Sequence, residues 1–151
     1  MGTRAGADVA AGAQRRRQLL DIAAERGSGG IADQMMPGML GKTTRERNPS
    51  LGDSVYAMLE AAPVAGSTGA LQAMLHRPDS TDTLGTISVP TLIVVGDEDV
   101  LTPVAESEAM HAGIRGSHLE VISGAGHLAN IERPAAVNHV LGEFLASLHL
   151  T

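Results

Sequence analysis

Val89-Pro90-Thr91-Leu92-Ile93-Val94-Val95-Gly96-Asp97-Glu98-Asp99 decides how this chain is read. Its first seven residues form a short, continuous apolar run rich in β-branched side chains. That pattern suits a strand buried on both faces, as in a parallel sheet covered by helices. Pro90 near the start is compatible with a strand end. Glycine and three acids follow at the carboxyl end. A second strand is expected over His118–Ser123. About two dozen residues lie between, enough for a helical crossover, and Pro103–Ile114 supplies the helix. A last helix is expected from Pro134. Val137, Val140, Leu141, Phe144, Leu145 and Leu148 fall at i, i+3, i+4, i+7, i+8 and i+11 along it. The second half therefore reads as a β-α-β-α unit of the α/β class.

The first half carries helices and no convincing strand. One helix is expected over Ala7–Arg26, stopped by Gly27, with a turn over Gly27–Gly30. Arg15, Arg16 and Arg17 on it read as a solvated face. Ile31–Leu40 reads as a short helix interrupted by Pro37. Its Met35, Met36 and Met39 are core candidates, with an adaptable apolar pocket as the alternative. Asn48 reads as an N-cap before Pro49, with a helix to about Ala61. A further helix is expected over Thr68–His76. Helices without a sheet to lie on suit a lid, so the chain divides into a helical cap-like region, 1–80, and an α/β core segment, 81–151.

The composition bounds the function. Eleven Lys+Arg against seventeen Asp+Glu give a net charge of −6, which argues against nucleic acid as a partner. The chain has no cysteine, and its only aromatics are Tyr56 and Phe144. No apolar run approaches the roughly eighteen residues that a membrane helix needs. The first residues lack a basic start followed by an apolar stretch, so no secretory leader is expected. The expected compartment is the cytoplasm.

The chemistry sits in two loops, each following a strand. The first holds Asp97-Glu98-Asp99, the second Gly124-Ala125-Gly126-His127. Open α/β sheets bind ligands at the carboxyl ends of their strands, so an acidic loop and a histidine loop are expected side by side. A carboxylate beside histidine accepts the imidazole Nδ1–H and stabilises the imidazolium during proton transfer. Any of the three acids fits that pairing by position alone. The bland reading of His127 is a hydrogen-bonded histidine at a strand end. The three acids as a hard-cation site lack the spacing of a calcium loop. Gly124-Ala125-Gly126 is too short for a dinucleotide fingerprint. No cofactor or metal is expected. His76, His111, His118, His139 and His149 show no partner spacing and read as surface residues.

At these residues the sequence resembles the α/β-hydrolase family. Val89–Asp99 closed by Pro103 is similar to the acid-bearing segment. Gly124-Ala125-Gly126-His127 with Glu132-Arg133-Pro134 is similar to the histidine segment. Arg77-Pro78-Asp79 resembles the junction between cap and core, and Thr3-Arg4-Ala5-Gly6-Ala7-Asp8 the start of the cap. The nearest branch is the 3-oxoadipate enol-lactonase and carboxylesterase-like group. The resemblance implies a partial α/β-hydrolase fold, with Asp99 as the triad acid and His127 as the general base. It implies an esterase-like hydrolase of small, uncharged or weakly polar carboxylic esters or lactones.

The sequence departs from that family in one respect. The family's nucleophile lies among strands that precede the cap, and no such strand and no Gly-x-Ser-x-Gly occur here. Ala65-Gly66-Ser67-Thr68-Gly69 is the nearest fit, but the elbow needs a strand directly before its serine. Ser67 is therefore a weak candidate. Two further expectations follow. One is a homo-oligomer, formed through the open Val89–Val95 edge or by exchange of cap helices. The other is a competing role as a non-catalytic, oligomeric structural or interaction module, or as a partner that completes a separate amino-terminal fragment.

Overall fold

The β-branched run after Pro90 does form a strand, and its partner lies parallel to it. In a computed structural model that describes residues 3–148, β1 spans Leu92–Gly96 and β2 spans His118–Ile122. Leu92 stands opposite His118 and Gly96 opposite Ile122. Alternate side chains of β1 serve two cores, as a strand covered on both faces requires. Ile93 packs with Leu84, Met110 and Ile114 beneath α5 (Val104–Gly113). Val94 packs with Ile122, Ala125, Val137 and Val140 beneath α7 (Pro134–Ser147). The strand starts later than expected. Val89 is 66% exposed and Pro90 has no N–H to give a ladder, so pairing opens with His118 N–H donating to Thr91 O at 2.8 Å.

The helical region differs from expectation at its start. Ala10–Met39, α1, is two helical segments that meet at a kink on Gly27, the expected stop, which takes a non-helical φ of 63°. Glycine tolerates this left-handed conformation. The helix resumes at Ser28, so the turn is one residue wide instead of spanning Gly27–Gly30. Pro37 lies inside the last turn without ending it. α2 (Lys42–Arg47), α3 (Pro49–Glu60) and α4 (Val64–Leu75) follow. Pro49 opens α3 as expected. Asn48 caps nothing with its side chain; its Oδ1 accepts the Ser50 hydroxyl at 2.9 Å. α4 begins four residues earlier than Thr68, directly after Pro63.

Two apolar clusters hold these helices. Leu19, Ala23, Ile31 and Leu71 lock α1 to α4. Met39, Leu40 and Val55 pack against Leu101, Leu128 and Ile131, which fixes the helices onto the loops beyond the strands. A 3₁₀ turn over Thr81–Thr86 leads into the sheet. A four-residue helix, α6 (Ala129–Glu132), precedes α7 and was not expected. The apolar stripe of α7 is only partly covered: Leu141 and Leu145 remain 43% and 48% exposed. No helix among the described residues is long and apolar enough to cross a membrane.

Candidate active site

Gly96, at the end of β1, brings the two loops together. A Cβ there would fall on the Ala125 carbonyl, so only glycine permits this approach. The ladder then continues past the strands, with Asp97 N–H donating to Ile122 O and Glu98 N–H to Ala125 O. The three consecutive acids turn in three directions. Asp97 is exposed and accepts Gly124 N–H at 2.7 Å. Glu98 accepts the N–H and the hydroxyl of Thr43 in α2. Asp99 turns inward, is 4% exposed, and meets His127. Among the described residues no group of histidines and carboxylates is arranged to hold a metal ion.

Four donors converge on the Asp99 carboxylate. Leu101 N–H and Thr102 N–H each reach Oδ1 at 2.9 Å. The Thr102 hydroxyl reaches Oδ2 at 2.7 Å, and His127 Nδ1 lies 2.9 Å from the same oxygen. Burial by itself pushes the Asp99 carboxyl up. The hydrogen bonds from His127 and Thr102 outweigh it and hold the group below the ordinary carboxylate range. With Nδ1 committed to Asp99, the other ring nitrogen, Nε2, is the one left to exchange a proton. His127 is 23% exposed at its side chain and lines a cavity of about 280 Å³ between the helices and the loops.

Sequence reasoning placed Glu132 in the histidine segment but missed that it sets the position of the histidine loop. Glu132 is 6% exposed. Its Oε1 accepts Gly126 N–H and its Oε2 accepts Gly41 N–H, both at 2.8 Å. Gly41 joins α1 to α2, and Gly126 directly precedes His127. The two backbones touch: a Cβ on Gly126 would fall on the Gly41 nitrogen. One carboxylate thus pins the helical region to the histidine loop. The neighbouring Arg133 reaches Thr44 Oγ1 of α2 at 3.3 Å, and Pro134 opens α7. Each residue of Glu132-Arg133-Pro134 therefore has its own task in the structure.

The arginine run also differs from expectation. Arg15 and Arg16 line the cavity beside His127, together with Arg4 and Arg77; of the run, only Arg17 is outside it. Arg16 pairs with Asp8, whose carboxyl that bond holds low. Met35 lines the same cavity, whereas Met39 is core. Among the described residues no serine lines the cavity. Ser67 sits in the first turn of α4, its N–H donating to Pro63 O, with no strand before it. A second serine–histidine contact, Ser117 to His111 Nδ1 at 2.8 Å, includes no carboxylate, and the Ser117 hydroxyl donates to Ile114 O. His76, His111, His118 and His139 are exposed, and His149 lies outside the described residues.

Comparison with known proteins shows the family. Residues 69–151 match the α/β-hydrolase family model described as TAP-like protein. A stretch of 102 residues is 33% identical to 3-oxoadipate enol-lactonase 1 of Acinetobacter baylyi, covering 68% of this chain and 38% of that protein. A malate-bound thermophilic esterase from Thermogutta terrifontis superposes with a TM-score of 0.91 at 36% identity, over 97% of this chain and 54% of the esterase. The enol-lactonase from Burkholderia xenovorans shares the fold, with a TM-score of 0.80 at 22% identity, over 88% of this chain and 50% of that one. The chain thus spans about half the length of the solved relatives it matches. On the family match, the chain belongs to the α/β-hydrolases.

Proposed function

We propose that this chain supplies the cap and the histidine–acid half of an esterase-like hydrolase acting on small carboxylic esters or lactones. His127 takes the proton of a serine hydroxyl as that oxygen attacks the ester carbonyl, then returns it to the departing alcohol. Water repeats the cycle on the acyl-enzyme, which releases the acid. Asp99 holds the imidazole in the required tautomer and stabilises the imidazolium. The observation that carries this reading is the 2.9 Å contact of His127 Nδ1 with a buried Asp99 that three further donors hold in place. The serine belongs to the family's strand-borne elbow, which has no counterpart in this sequence. The enol-lactonase and esterase similarities support the substrate class. The cytoplasm is the compartment we assign, on the sequence alone.

The test joins this chain to the serine-bearing half of the Thermogutta terrifontis esterase. The chimera is expected to hydrolyse p-nitrophenyl acetate. His127→Ala in the folded chimera should cost about a thousandfold or more in kcat/KM. Equal activity in the variant overturns the proposal.

A second reading, a non-catalytic module that self-associates, is favoured by one observation. Among the described residues β1 pairs only with β2, so its other edge carries unpaired backbone groups. We propose a two-fold dimer through that edge as the sharpest form, with exchange of cap helices as the looser one. Sedimentation of a folded monomer at micromolar concentration would rule the edge dimer out.

A further inference from the structure

Connections between helices ordinarily run over the surface. The junction between α1 and α2 does not: residues 38–41 and Thr44 are buried, and they rest on the two loops that carry Asp99 and His127. Glu98, directly before Asp99, accepts the Thr43 N–H at 2.7 Å and the Thr43 hydroxyl. Its own N–H donates to Ala125 O in the histidine loop at 2.9 Å. Glu132 accepts Gly41 N–H and Gly126 N–H, and Gly126 directly precedes His127. Leu101, two residues after Asp99, closes the seat, since a Cβ on Gly38 would fall 2.8 Å from its side chain. Three donors of the junction are thus held by two carboxylates, one linked to each member of the pair. The Thr43 bonds keep the Glu98 carboxyl below its ordinary range, so it accepts as a carboxylate. None of Gly41, Thr43, Glu98 and Glu132 lines the cavity beside His127, so none meets a substrate there.

We propose that Glu98 and Glu132 are positioning residues for the reaction at His127, and that the α1–α2 junction they seat is a working part of the histidine–acid pair. The helical region then does more than cover the cavity. It holds the histidine loop through Gly41 and Gly126, and the acid loop through Thr43 and Glu98. With either hold released, the imidazole no longer stays on Asp99, and a misplacement of about 1 Å is enough to cost a large factor in rate. This deepens the hydrolase reading and rests on it.

The test starts with the 151-residue chain. Proton NMR follows the hydrogen-bonded proton between His127 Nδ1 and Asp99 Oδ2. Thr43→Val removes the hydroxyl that Glu98 accepts, and Glu132→Gln weakens the other hold. Each should speed exchange of that proton with water about fivefold or more, and Thr43→Ser should return it to within about twofold. Leu84→Val, which thins the core beneath α5, is the control for lost stability and should stay within about twofold. In the chimera, Thr43→Val and Glu132→Gln should each lower kcat for p-nitrophenyl acetate about tenfold with KM within about twofold, while Leu84→Val keeps both. Thr43 is only partly buried, so its variant keeps the test valid even where Glu132→Gln fails to fold. Unmoved exchange in Thr43→Val, no rescue by serine, or an equal effect of Leu84→Val overturns the proposal. Turnover separates it from the hydrolase reading. An active chimera whose Thr43→Val and Glu132→Gln forms keep full kcat removes the positioning role and keeps the hydrolase; faster exchange in the variants beside an inactive chimera does the reverse.

Discussion

Oδ2 of Asp99 lies 2.9 Å from Nδ1 of His127 and 2.7 Å from the hydroxyl of Thr102, so one buried oxygen serves both groups. This fixes the imidazole tautomer before any substrate arrives. Nitrogen NMR should show His127 protonated at Nδ1 and bare at Nε2 when neutral. Asp99→Asn replaces an acceptor with a donor on one side and should give a mixed tautomer. In the chimera the same change should lower kcat by about a thousandfold or more. Thr102→Val should cost about 1 kcal/mol of stability, and Thr102→Ser should restore most of it, because the hydroxyl is what Asp99 uses.

Asp99 also sets an acid limit. Its carboxyl is held below the ordinary value of about 3.9, so folding favours the ionised form. Its contribution is complete above that range and is lost as pH falls through the lowered folded-state value. Urea unfolding should show stability falling between about pH 5 and pH 2. Asp99→Asn should flatten part of that fall, and an unchanged acid slope in the variant would contradict the assignment.

Glu132 should behave as a clamp. In Glu132→Gln one of the two backbone N–H groups faces an amide instead of a carboxylate oxygen. A loss of about 1–3 kcal/mol is expected. Faster hydrogen exchange should be concentrated at Gly41 and Gly126, the two amides it binds. Loss of stability with unchanged exchange at those amides would count against the clamp.

Glycines supply a paired comparison. Gly126→Ala places a methyl on the Gly41 backbone and should cost about 3 kcal/mol or more. Gly69→Ala, inside α4 with open space around it, should stabilise by about 0.5–1 kcal/mol. Thermal unfolding of the two variants checks both signs.

The local code made the strands, α5 and α7 legible, since burial on two faces and helical periodicity leave direct marks on sequence. Boundaries were legible only where one residue dictates them. Pro49 and Pro134 open their helices as read, whereas the start of β1 depended on its pairing with His118. Gly27 marked a break but not its width, because a single left-handed residue suffices to bend α1. At the site, an acidic loop beside the His127 loop was readable from the order of strand, loop and glycine, whereas Asp99 itself came from the family resemblance. Which of three adjacent acids turns inward is set by the turn geometry. Asp97, Glu98 and Asp99 differ by their partners on Gly124, Thr43 and His127, and none of these contacts is local. The clamping role of Glu132 was invisible for the same reason, as its partners Gly41 and Gly126 meet only in the fold. Arg15 and Arg16 read as a solvated face because a helix alone does not reveal what its other side overlooks.

The central claim, that His127 works as a base on a serine, is tested most directly by fluorophosphonate labelling, followed by intact mass and peptide mapping. The account predicts a stoichiometric adduct on the elbow serine of the chimera and none on Ser67 or any other serine of this chain. His127→Ala should lower the labelling rate of the elbow serine by about a hundredfold or more. An adduct on a serine of this chain, or an unchanged rate in the histidine variant, would contradict it.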